Sequence, residues 1–288
     1  MRLLVLFSLL VSGIFHAGFS AVLADSETPW QDHQGMLSTR IIVASSDIAA
    51  SFPGVLAPSG DQSVLLAWEA KLEDGWKTYW RSPGEAGLPV RVFHDDKQLD
   101  ILYPVPVRFE LFGLETYGYS KQVAIPFQIE TDAGTVSLSA DFMVCKEICV
   151  PFKANYQLTL DSGDRGTIVT DTRVSTWLAR VPKRYGEAPG GLTIKSVTYA
   201  GKPGYQNLLV EATSSRPLTK ADLLAELDEA TQFHAPSMRL LPDGQSTRFV
   251  LDIMSTQKGL DLAGKTVRLT MSDGRGNAID RFFDLPAR

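Results

Sequence analysis

Residues 136–160 read VSLSADFMVCKEICVPFKANYQLTL, and this stretch decides the fold of the segment around it. Apolar and polar side chains alternate on both sides of Lys146-Glu147-Ile148. Such alternation is typical of β-strands that pack one face on a core and turn the other outward. The stretch therefore predicts two antiparallel strands, at residues 136–145 and 150–160, joined by a three-residue turn.

The parity of the alternation also places the two cysteines of the chain. Cys145 lies on the polar face of the first strand with Asp141 and Met143, and Cys149 lies on the polar face of the second. Both are therefore expected to point away from the core. A hairpin makes them cross-strand neighbours with Cα atoms roughly 4.5 to 5.5 Å apart, a separation that suits a disulfide.

The first 24 residues are predicted to be a cleavable export signal. Arg2 precedes an apolar run at residues 3–15, and small residues continue to Ala24, after which cleavage is expected. The run is too short to span a bilayer, and no other stretch approaches the ~20 apolar residues that spanning needs. We therefore expect an exported protein that does not span the membrane.

Export sets how the cysteines are interpreted, because a disulfide is the expected state in an oxidising compartment. A ring of five residues gives only ~2 kcal/mol of loop-entropy stabilisation, so the bridge is a poor structural staple. A bridge at a solvent-facing hairpin tip is open to attack by a thiolate, which favours a redox function. An inert surface staple remains an alternative.

Metal binding is a further alternative for the same hairpin. Met143, Cys145 and Cys149 would supply three sulfur ligands, a set that favours Cu(I). Zinc is less favoured because the histidines that remain after the signal lack ligand spacing and are expected at the surface. They are His33, His94 and His234. No metal or other cofactor is predicted.

Composition points to an all-β fold and excludes several functions. Among 288 residues, 16 prolines and 23 glycines interrupt any long helix, whereas 44% hydrophobic residues suffice for a core. The net charge of −5 gives no reason to expect nucleic acid as a partner. The sequence also lacks a phosphate-binding glycine loop and a Gly-x-Ser-x-Gly elbow, so neither nucleotide nor hydrolase chemistry is expected.

The remaining pattern predicts two β-sandwich domains, at residues 25–161 and 192–288, joined by a connector at 162–191 with a helix at 171–181. In the first domain, strands are expected at 64–71, 76–81, 89–93, 99–103 and 122–129, with loops at 82–89 and 108–119. In the second, strands are expected at 192–199, 207–212, 248–253, 266–271 and 278–285, with a short helix at 220–227.

Three stretches carry a resemblance to a known family. They are Gly75-Trp76-Lys77-Thr78-Tyr79-Trp80-Arg81-Ser82-Pro83-Gly84, then Phe112-Gly113 with Tyr117-Gly118-Tyr119, then Val144-Cys145-Lys146-Glu147-Ile148-Cys149-Val150-Pro151. Over residues 40–160 the sequence resembles the N-terminal periplasmic domain of the thiol:disulfide interchange protein DsbD family. The first and third stretches look closest to its ScsB-like branch, which is linked to copper tolerance.

This resemblance implies an immunoglobulin-like periplasmic domain that needs no cofactor. It implies that Cys145 and Cys149 receive electrons from a membrane-embedded thiol reductase and pass them to periplasmic thioredoxin-like or disulfide isomerase-like proteins. Phe112 would be the cap-loop aromatic that shields the disulfide, and Tyr79 and Tyr117 would line the site. The family also links such proteins to cytochrome c biogenesis.

Three features go beyond the family pattern or depart from it. The family spaces its cysteines further apart, which leaves open which of Cys145 and Cys149 is attacked first. DsbD-type proteins continue into membrane spans and a thioredoxin-like domain that this sequence lacks, so the electrons are expected from a separate membrane protein. Asp141, on the face of Cys145, is a candidate for proton transfer. The alternative to redox exchange is a non-catalytic periplasmic binding module, or a Cu(I)-binding protein of copper tolerance.

Overall fold

The computed structural model describes residues 26–56, 63–111, 113–131, 134–160 and 166–288. The predicted signal peptide therefore lies outside the described residues. Within them the fold is all-β, as predicted, with two α-helices and one short 3-10 turn. No helix in the described part of the chain is long and apolar enough to cross a membrane.

The N-terminal half is a sandwich of two antiparallel sheets. Its strands are β1 (Gln31–His33), β2 (Leu37–Val43), β3 (Ser63–Leu72), β4 (Lys77–Gly84), β5 (Arg91–His94), β6 (Lys97–Gln98), β7 (Val107–Leu111), β8 (Leu114–Ser120), β9 (Gln122–Glu130), β10 (Gly134–Cys145) and β11 (Cys149–Leu160). One sheet has the order β1-β2-β3-β9. The other has the order β6-β5-β10-β4-β8-β7, and β11 pairs with β10.

The core between these sheets follows from the alternation seen in the sequence. Phe142 of β10 is buried against Trp68 of β3, with ring centroids 5.2 Å apart. The five predicted core residues of β10 are all at most 3% exposed, and they are Val136, Leu138, Ala140, Phe142 and Val144. Their burial confirms that Met143 and Cys145 belong to the outer face of the larger sheet.

His33 corrects one expectation, because it is 9% exposed rather than a surface residue. Pairing of β1 with β2 turns its imidazole against the ring of Phe142, at a centroid distance of 5.1 Å. Its Nε2 lies 2.7 Å from the Thr39 hydroxyl, which lies 2.6 Å from the Tyr156 hydroxyl. Trp68 Nε1 donates to the same phenol, so the buried polar groups satisfy one another.

Two helices pack on the smaller sheet of this sandwich: α1 (Ser46–Ala50) and α2 (Ile168–Leu178). The second begins three residues before the predicted helix, because the Thr167 hydroxyl accepts a hydrogen bond from the backbone N–H of Thr170 and caps it there. Asp171 accepts two hydrogen bonds from Ser45, one from its backbone N–H and one from its hydroxyl. The connector is therefore fastened to the N-terminal half.

The C-terminal half is a second, smaller sandwich. Its strands are β12 (Thr193–Ala200), β13 (Asn207–Thr213), β14 (Asp222–Glu226), β15 (Thr231–Phe233), β16 (Ser237–Leu240), β17 (Ser246–Ser255), β18 (Thr266–Ser272) and β19 (Ala278–Asp284). One sheet has the order β12-β13-β17-β15 with β16 on β17, and the other has the order β14-β18-β19. Their inner faces share one apolar core.

Several sequence expectations were wrong in detail. The predicted helix at 220–227 is strand β14, and the predicted loop at 108–119 is the hairpin of β7 and β8. Residues 82–84 extend β4, and the expected strand at 99–103 is reduced to a single bridge between Ile101 and Phe127. The sequence also gave no prediction of α1, of the short strands β1, β6, β15 and β16, or of the longer β2.

Candidate disulfide site

The cysteines lie where the β10–β11 hairpin turns. Cys145 and Cys149 are register partners and form a disulfide with a Cα–Cα distance of 4.1 Å, just below the predicted range. The backbone N–H of Lys146 donates to the carbonyl of Ile148 and closes the turn. The hairpin predicted from the alternation thus brings the two sulfurs together.

The two cysteines differ sharply in exposure, which corrects the expectation that both face solvent. Cys149 is exposed, whereas Cys145 is 0% exposed. Cys145 packs in a small apolar cluster with Tyr79 and Leu111, against which Met143 also packs. The cover comes from β4 and the β7–β8 hairpin, so one sulfur is open and the other is enclosed.

Tyr79 connects the enclosed part of the site to the open sulfur. Its side chain is 0% exposed, and its hydroxyl lies 3.9 Å from Cys149 Sγ. Burial raises the pKa of Tyr79, so the phenol stays protonated and can donate a hydrogen bond to a sulfur. The structure therefore places Tyr79, one of the predicted site residues, beside the disulfide.

Gly87 packs against the ring of Tyr79, whereas the sequence predicted only that Gly87 lies in a loop. A Cβ on Gly87 would lie 2.4 Å from ring atoms of Tyr79, and the φ of +109° is a conformation that other residues rarely adopt. The loop therefore needs glycine to lie flat on the phenol. Its Gly and Pro content indicated a loop but not this contact.

The β7–β8 hairpin brings its tip to the disulfide. Leu111 and Leu114 are register partners at this tip, and Leu111 is part of the cluster around Cys145. Phe112, the predicted cap aromatic, follows Leu111 in the sequence and lies outside the described residues. The Lys77 ammonium on β4 lies 4.3 Å from the centre of the ring of Phe109, which is on β7 of this hairpin.

The structure does not bring Tyr117 or Asp141 to the sulfurs. The Tyr117 hydroxyl donates to Glu115 at 2.7 Å and approaches the carbonyl of Phe233 in the C-terminal half. Asp141 precedes Cys145 by four residues on β10, which places the two roughly 13 Å apart along the strand. Its carboxylate lies 3.9 Å from the Lys153 ammonium. A direct proton transfer between Asp141 and the cysteines is therefore not supported.

The sulfur residues of the Cu(I) alternative are neighbours in the fold. Met143 packs against the cluster that holds Cys145, and Cys149 lies across the hairpin. In the described part of the chain, no group of three or more His, Cys, Asp or Glu side chains is arranged to hold a metal ion. A sulfur site of this kind requires the disulfide to be reduced first.

Exposed apolar side chains belong to the segments that form the site. Ile148, between the two cysteines, is 60% exposed, and Leu88, beside Gly87, is 50% exposed. Leu114 at the tip of the β7–β8 hairpin and Val107 on β7 are exposed as well. Apolar groups around an exposed disulfide sulfur suit contact with another protein surface.

The sequence comparisons divide the chain in two. Residues 47–161 match the family described as "Thiol:disulfide interchange protein DsbD, N-terminal", which confirms the predicted resemblance. Residues 180–279 match DUF8393, a domain family of unknown function. No curated protein matches the chain by sequence.

Among solved structures, the crystal structure of the N-terminal periplasmic domain of ScsB from Proteus mirabilis is similar to this chain. The two are 18% identical, with a TM-score of 0.71 over 92% of this chain and 100% of that chain. A marsupial T cell receptor matches at 10% identity over 86% of this chain and 96% of that chain. Its TM-score of 0.22 is too low to indicate a shared fold. The ScsB domain thus shares the fold of both halves.

Proposed function

From the DsbD-like domain that the chain carries at residues 47–161, we propose that it is a periplasmic thiol–disulfide exchange protein. The observation that carries the proposal is the disulfide with one open and one enclosed cysteine, bordered by exposed apolar side chains. We include in the proposal an export signal at residues 1–24, a redox domain at 25–161, a connector at 162–191 and a second domain at 192–288.

The difference in exposure favours Cys149 as the cysteine that is attacked first. A donor thiolate attacks Cys149 Sγ, because Cys145 is enclosed; the Cys145–Cys149 bond breaks and its electron pair stays on Cys145 Sγ, which takes up a proton. A second donor thiolate then attacks the donor sulfur of the mixed disulfide and releases Cys149 as a thiolate. The donor leaves as a disulfide, and the protein gains two electrons.

The reverse sequence passes the electrons on. The Cys149 thiolate attacks the disulfide of an oxidised protein, and Cys145 resolves the mixed disulfide by attacking Cys149 Sγ. Tyr79 is placed to donate a hydrogen bond to the Cys149 thiolate, which favours its formation. Until it resolves the mixed disulfide, Cys145 stays enclosed in its apolar cluster, which keeps other oxidants away from its sulfur.

The partners in this proposal are proteins on both sides. A membrane-embedded thiol reductase is the donor, and periplasmic thioredoxin-like or disulfide isomerase-like proteins are the acceptors. The exposed apolar side chains at Ile148, Leu88 and Leu114 give such partners a surface to dock on.

The experiment that tests the proposal is the reduction potential of the Cys145–Cys149 couple. The chain is equilibrated in thiol buffers of known potential, and the thiols are counted by alkylation and mass. A potential above about −300 mV lies where exchange proteins work and supports the proposal, whereas a value far below it identifies a structural bridge and contradicts it. The wild-type chain in excess reductant gives the reference with two alkylated thiols, and the Cys149→Ser variant, which cannot form the bridge, gives the mass added by one.

Cu(I) binding is the second candidate, favoured by the position of Met143 beside Cys145. We expect it to require the reduced protein, because thiolates and a thioether are the ligands. Titration of the reduced chain with Cu(I) against a competing chelator tests it, with Met143→Leu as the matched variant. Affinity that survives Met143→Leu unchanged contradicts the three-sulfur site.

A further inference from the structure

One strand of the C-terminal half contacts both walls of the disulfide site. The first wall is the β7–β8 hairpin, with described residues 107–111 and 113–120, whose Leu111 covers Cys145; we call it the cap hairpin. The second wall is the segment 82–89, which comprises the end of β4 and the loop after it and whose Gly87 lies on the ring of Tyr79; we call it the Gly87 loop. The strand is β14, at Asp222–Glu226.

Asp222 holds the cap hairpin. Arg108 of β7 donates from Nε to Asp222 Oδ2 at 2.8 Å and from its second terminal nitrogen to Oδ1 at 3.0 Å. The same nitrogen donates to the carbonyl of Leu223. Burial by itself would lower the pKa of Arg108, but Asp222, together with Tyr117 and Glu115 of the cap hairpin, outweighs it and holds the pKa above its usual value. This is a bidentate ion pair, whose charge-assisted hydrogen bonds are stronger than those between neutral groups.

Glu226, four residues further along β14, holds the base of the Gly87 loop. Arg81, directly before that loop, donates to Glu226 Oε1 from Nε at 3.0 Å and from a terminal nitrogen at 2.7 Å. The same terminal nitrogen donates to the hydroxyl of Thr270 on β18 at 2.6 Å. Both arginines come from the N-terminal half, and both carboxylates come from one strand of the C-terminal half.

The two walls are also bonded to each other. The backbone N–H of Glu115 on the cap hairpin donates to the Glu85 carboxylate of the Gly87 loop at 2.6 Å. In return, the backbone N–H of Glu85 donates to the carbonyl of Glu115. The Glu115 carboxylate accepts a hydrogen bond from the N–H of Ala235 in the C-terminal half, at 3.2 Å. A displacement of one wall therefore acts on the other.

Leu224 anchors the strand between these two ion pairs. It is 6% exposed and belongs to the core of the N-terminal sandwich, whereas its neighbour Leu223 belongs to the core of the C-terminal sandwich. Because side chains alternate along a strand, Asp222, Leu224 and Glu226 all face the N-terminal half. One face of β14 thus presents a carboxylate, an apolar anchor and a second carboxylate to the walls.

We propose that β14 is a positioning element that holds the cap hairpin and the Gly87 loop closed over Cys145. On this proposal the C-terminal sandwich, which has no cysteine, controls access to the enclosed sulfur. Asp222 and Glu226 are positioning residues that act through Arg108 and Arg81. The proposal rests on the disulfide site of the proposed function and assigns a role to the domain that contains no redox residue.

The test compares the alkylation rates of the two thiols in the reduced full-length chain. N-ethylmaleimide is applied for increasing times, and modification at each cysteine is followed by peptide mass analysis. In the double variant Asp222→Asn with Glu226→Gln, we expect Cys145 to react roughly tenfold faster because the walls open more often. Cys149, which is already open, is expected to react at the same rate and serves as an internal control.

The matched control is Glu211→Gln, which removes a carboxylate paired with Arg248 on the outer surface of the same sandwich. It should leave both rates unchanged. Circular dichroism verifies the fold of every variant; if the double variant does not fold, Arg108→Lys, which keeps the charge but loses the two-pronged pair, replaces it with the same expected direction. A Cys145 rate within twofold of wild type in a folded variant overturns the proposal.

This test is separable from that of the proposed function. Maleimide reports only whether Cys145 is covered, and its reaction does not depend on the reduction potential. A very low potential would contradict thiol exchange and leave the role of β14 standing. Unchanged alkylation with a potential in the exchange range would do the opposite.

Discussion

Tyr79 is a buried side chain whose hydroxyl contacts the exposed sulfur of Cys149. Its ring is enclosed beneath Gly87, and its hydroxyl is 3.9 Å from Cys149 Sγ. Since burial raises the pKa of Tyr79, the phenol remains a donor across the pH range in which a thiol ionises. A donor so placed stabilises the Cys149 thiolate in the reduced protein.

Removing that hydroxyl should raise the pKa of the Cys149 thiol. We expect Tyr79→Phe to keep the ring packing, to change the free energy of unfolding by no more than about 1 kcal/mol, and to shift the pH profile of Cys149 alkylation upward. Tyr199→Phe, which removes a hydroxyl bonded to the carbonyl of Pro286 in the other half, is the control. Superimposable profiles for Tyr79→Phe and wild type would contradict a role for the phenol.

At the scale of single residues, part of the geometry of the disulfide site could be predicted from the sequence. The alternation of β10 placed Met143 and Cys145 on the same outer face, and the structure bears this out. It could not predict that Cys145 is enclosed, because Tyr79 and Leu111 belong to strands distant in sequence. Strand parity tells which face a residue is on, and only the fold tells what covers that face.

The turn of the β10–β11 hairpin presents Ile148 to solvent between the two cysteines. A side chain that is 60% exposed adds little to the stability of the fold, so its exposure is better explained by contact with a partner. We therefore expect a change in this turn to affect electron transfer to protein partners more than electron transfer to small-molecule disulfides.

We expect Ile148→Glu to slow electron transfer from the reduced chain to oxidised thioredoxin by roughly tenfold, because a charge is then buried against the acceptor. Transfer to oxidised glutathione, which needs no docking surface, should change by less than about twofold. Ile168→Glu on α2, where the isoleucine is 87% exposed, is the matched control. Equal slowing with both acceptors would show that the turn acts on the chemistry and not on docking.

Strand β14 shows why element prediction failed where the two sandwiches meet. Leu223, Leu224 and Leu227 are spaced like one face of a helix, and the sequence reading took them for one. In the structure Leu223 enters one core and Leu224 the other, so a strand buried on both faces loses its alternation. The cap hairpin was misread as a loop because its glycines and aromatics hid two short paired strands.

The whole molecule is held together by buried ions between its halves as well as by apolar contacts. Asp280 of β19 accepts hydrogen bonds from Arg268 at 2.6 and 2.9 Å, and its carboxylate lies 3.4 Å from Arg81 of the N-terminal half. The Asp280 side chain is 3% exposed. Burial alone would raise the pKa of Asp280, but Arg268, Arg81 and Arg184 together outweigh it and hold the pKa below its usual value. The strand pattern predicted two sandwiches, and it gave no sign of this interface, whose partners are far apart in sequence.

Asp280→Asn should therefore weaken the junction of the two halves. The variant leaves two buried guanidinium groups short of a partner, and we expect a loss of about 3 to 5 kcal/mol in the free energy of unfolding. Because the loss falls at the interface, urea unfolding followed by circular dichroism should separate into two transitions. Asp284→Asn, at an exposed carboxylate bonded to Thr266, should leave the unfolding curve of the wild type unchanged.

The pH dependence of the free energy of unfolding tests the role of Asp280 independently. A carboxyl group with a lowered pKa in the folded state contributes stability that is complete above its unfolded pKa and is lost as the pH falls through its folded pKa. Asp280 should thus contribute fully above pH ~4 and progressively less below it, and Asp280→Asn should remove this part of the acid sensitivity. If wild type and Asp280→Asn lose stability in parallel below that pH, Asp280 does not hold the halves together, and the junction rests on the contacts of β14, which are Leu224 and its two ion pairs.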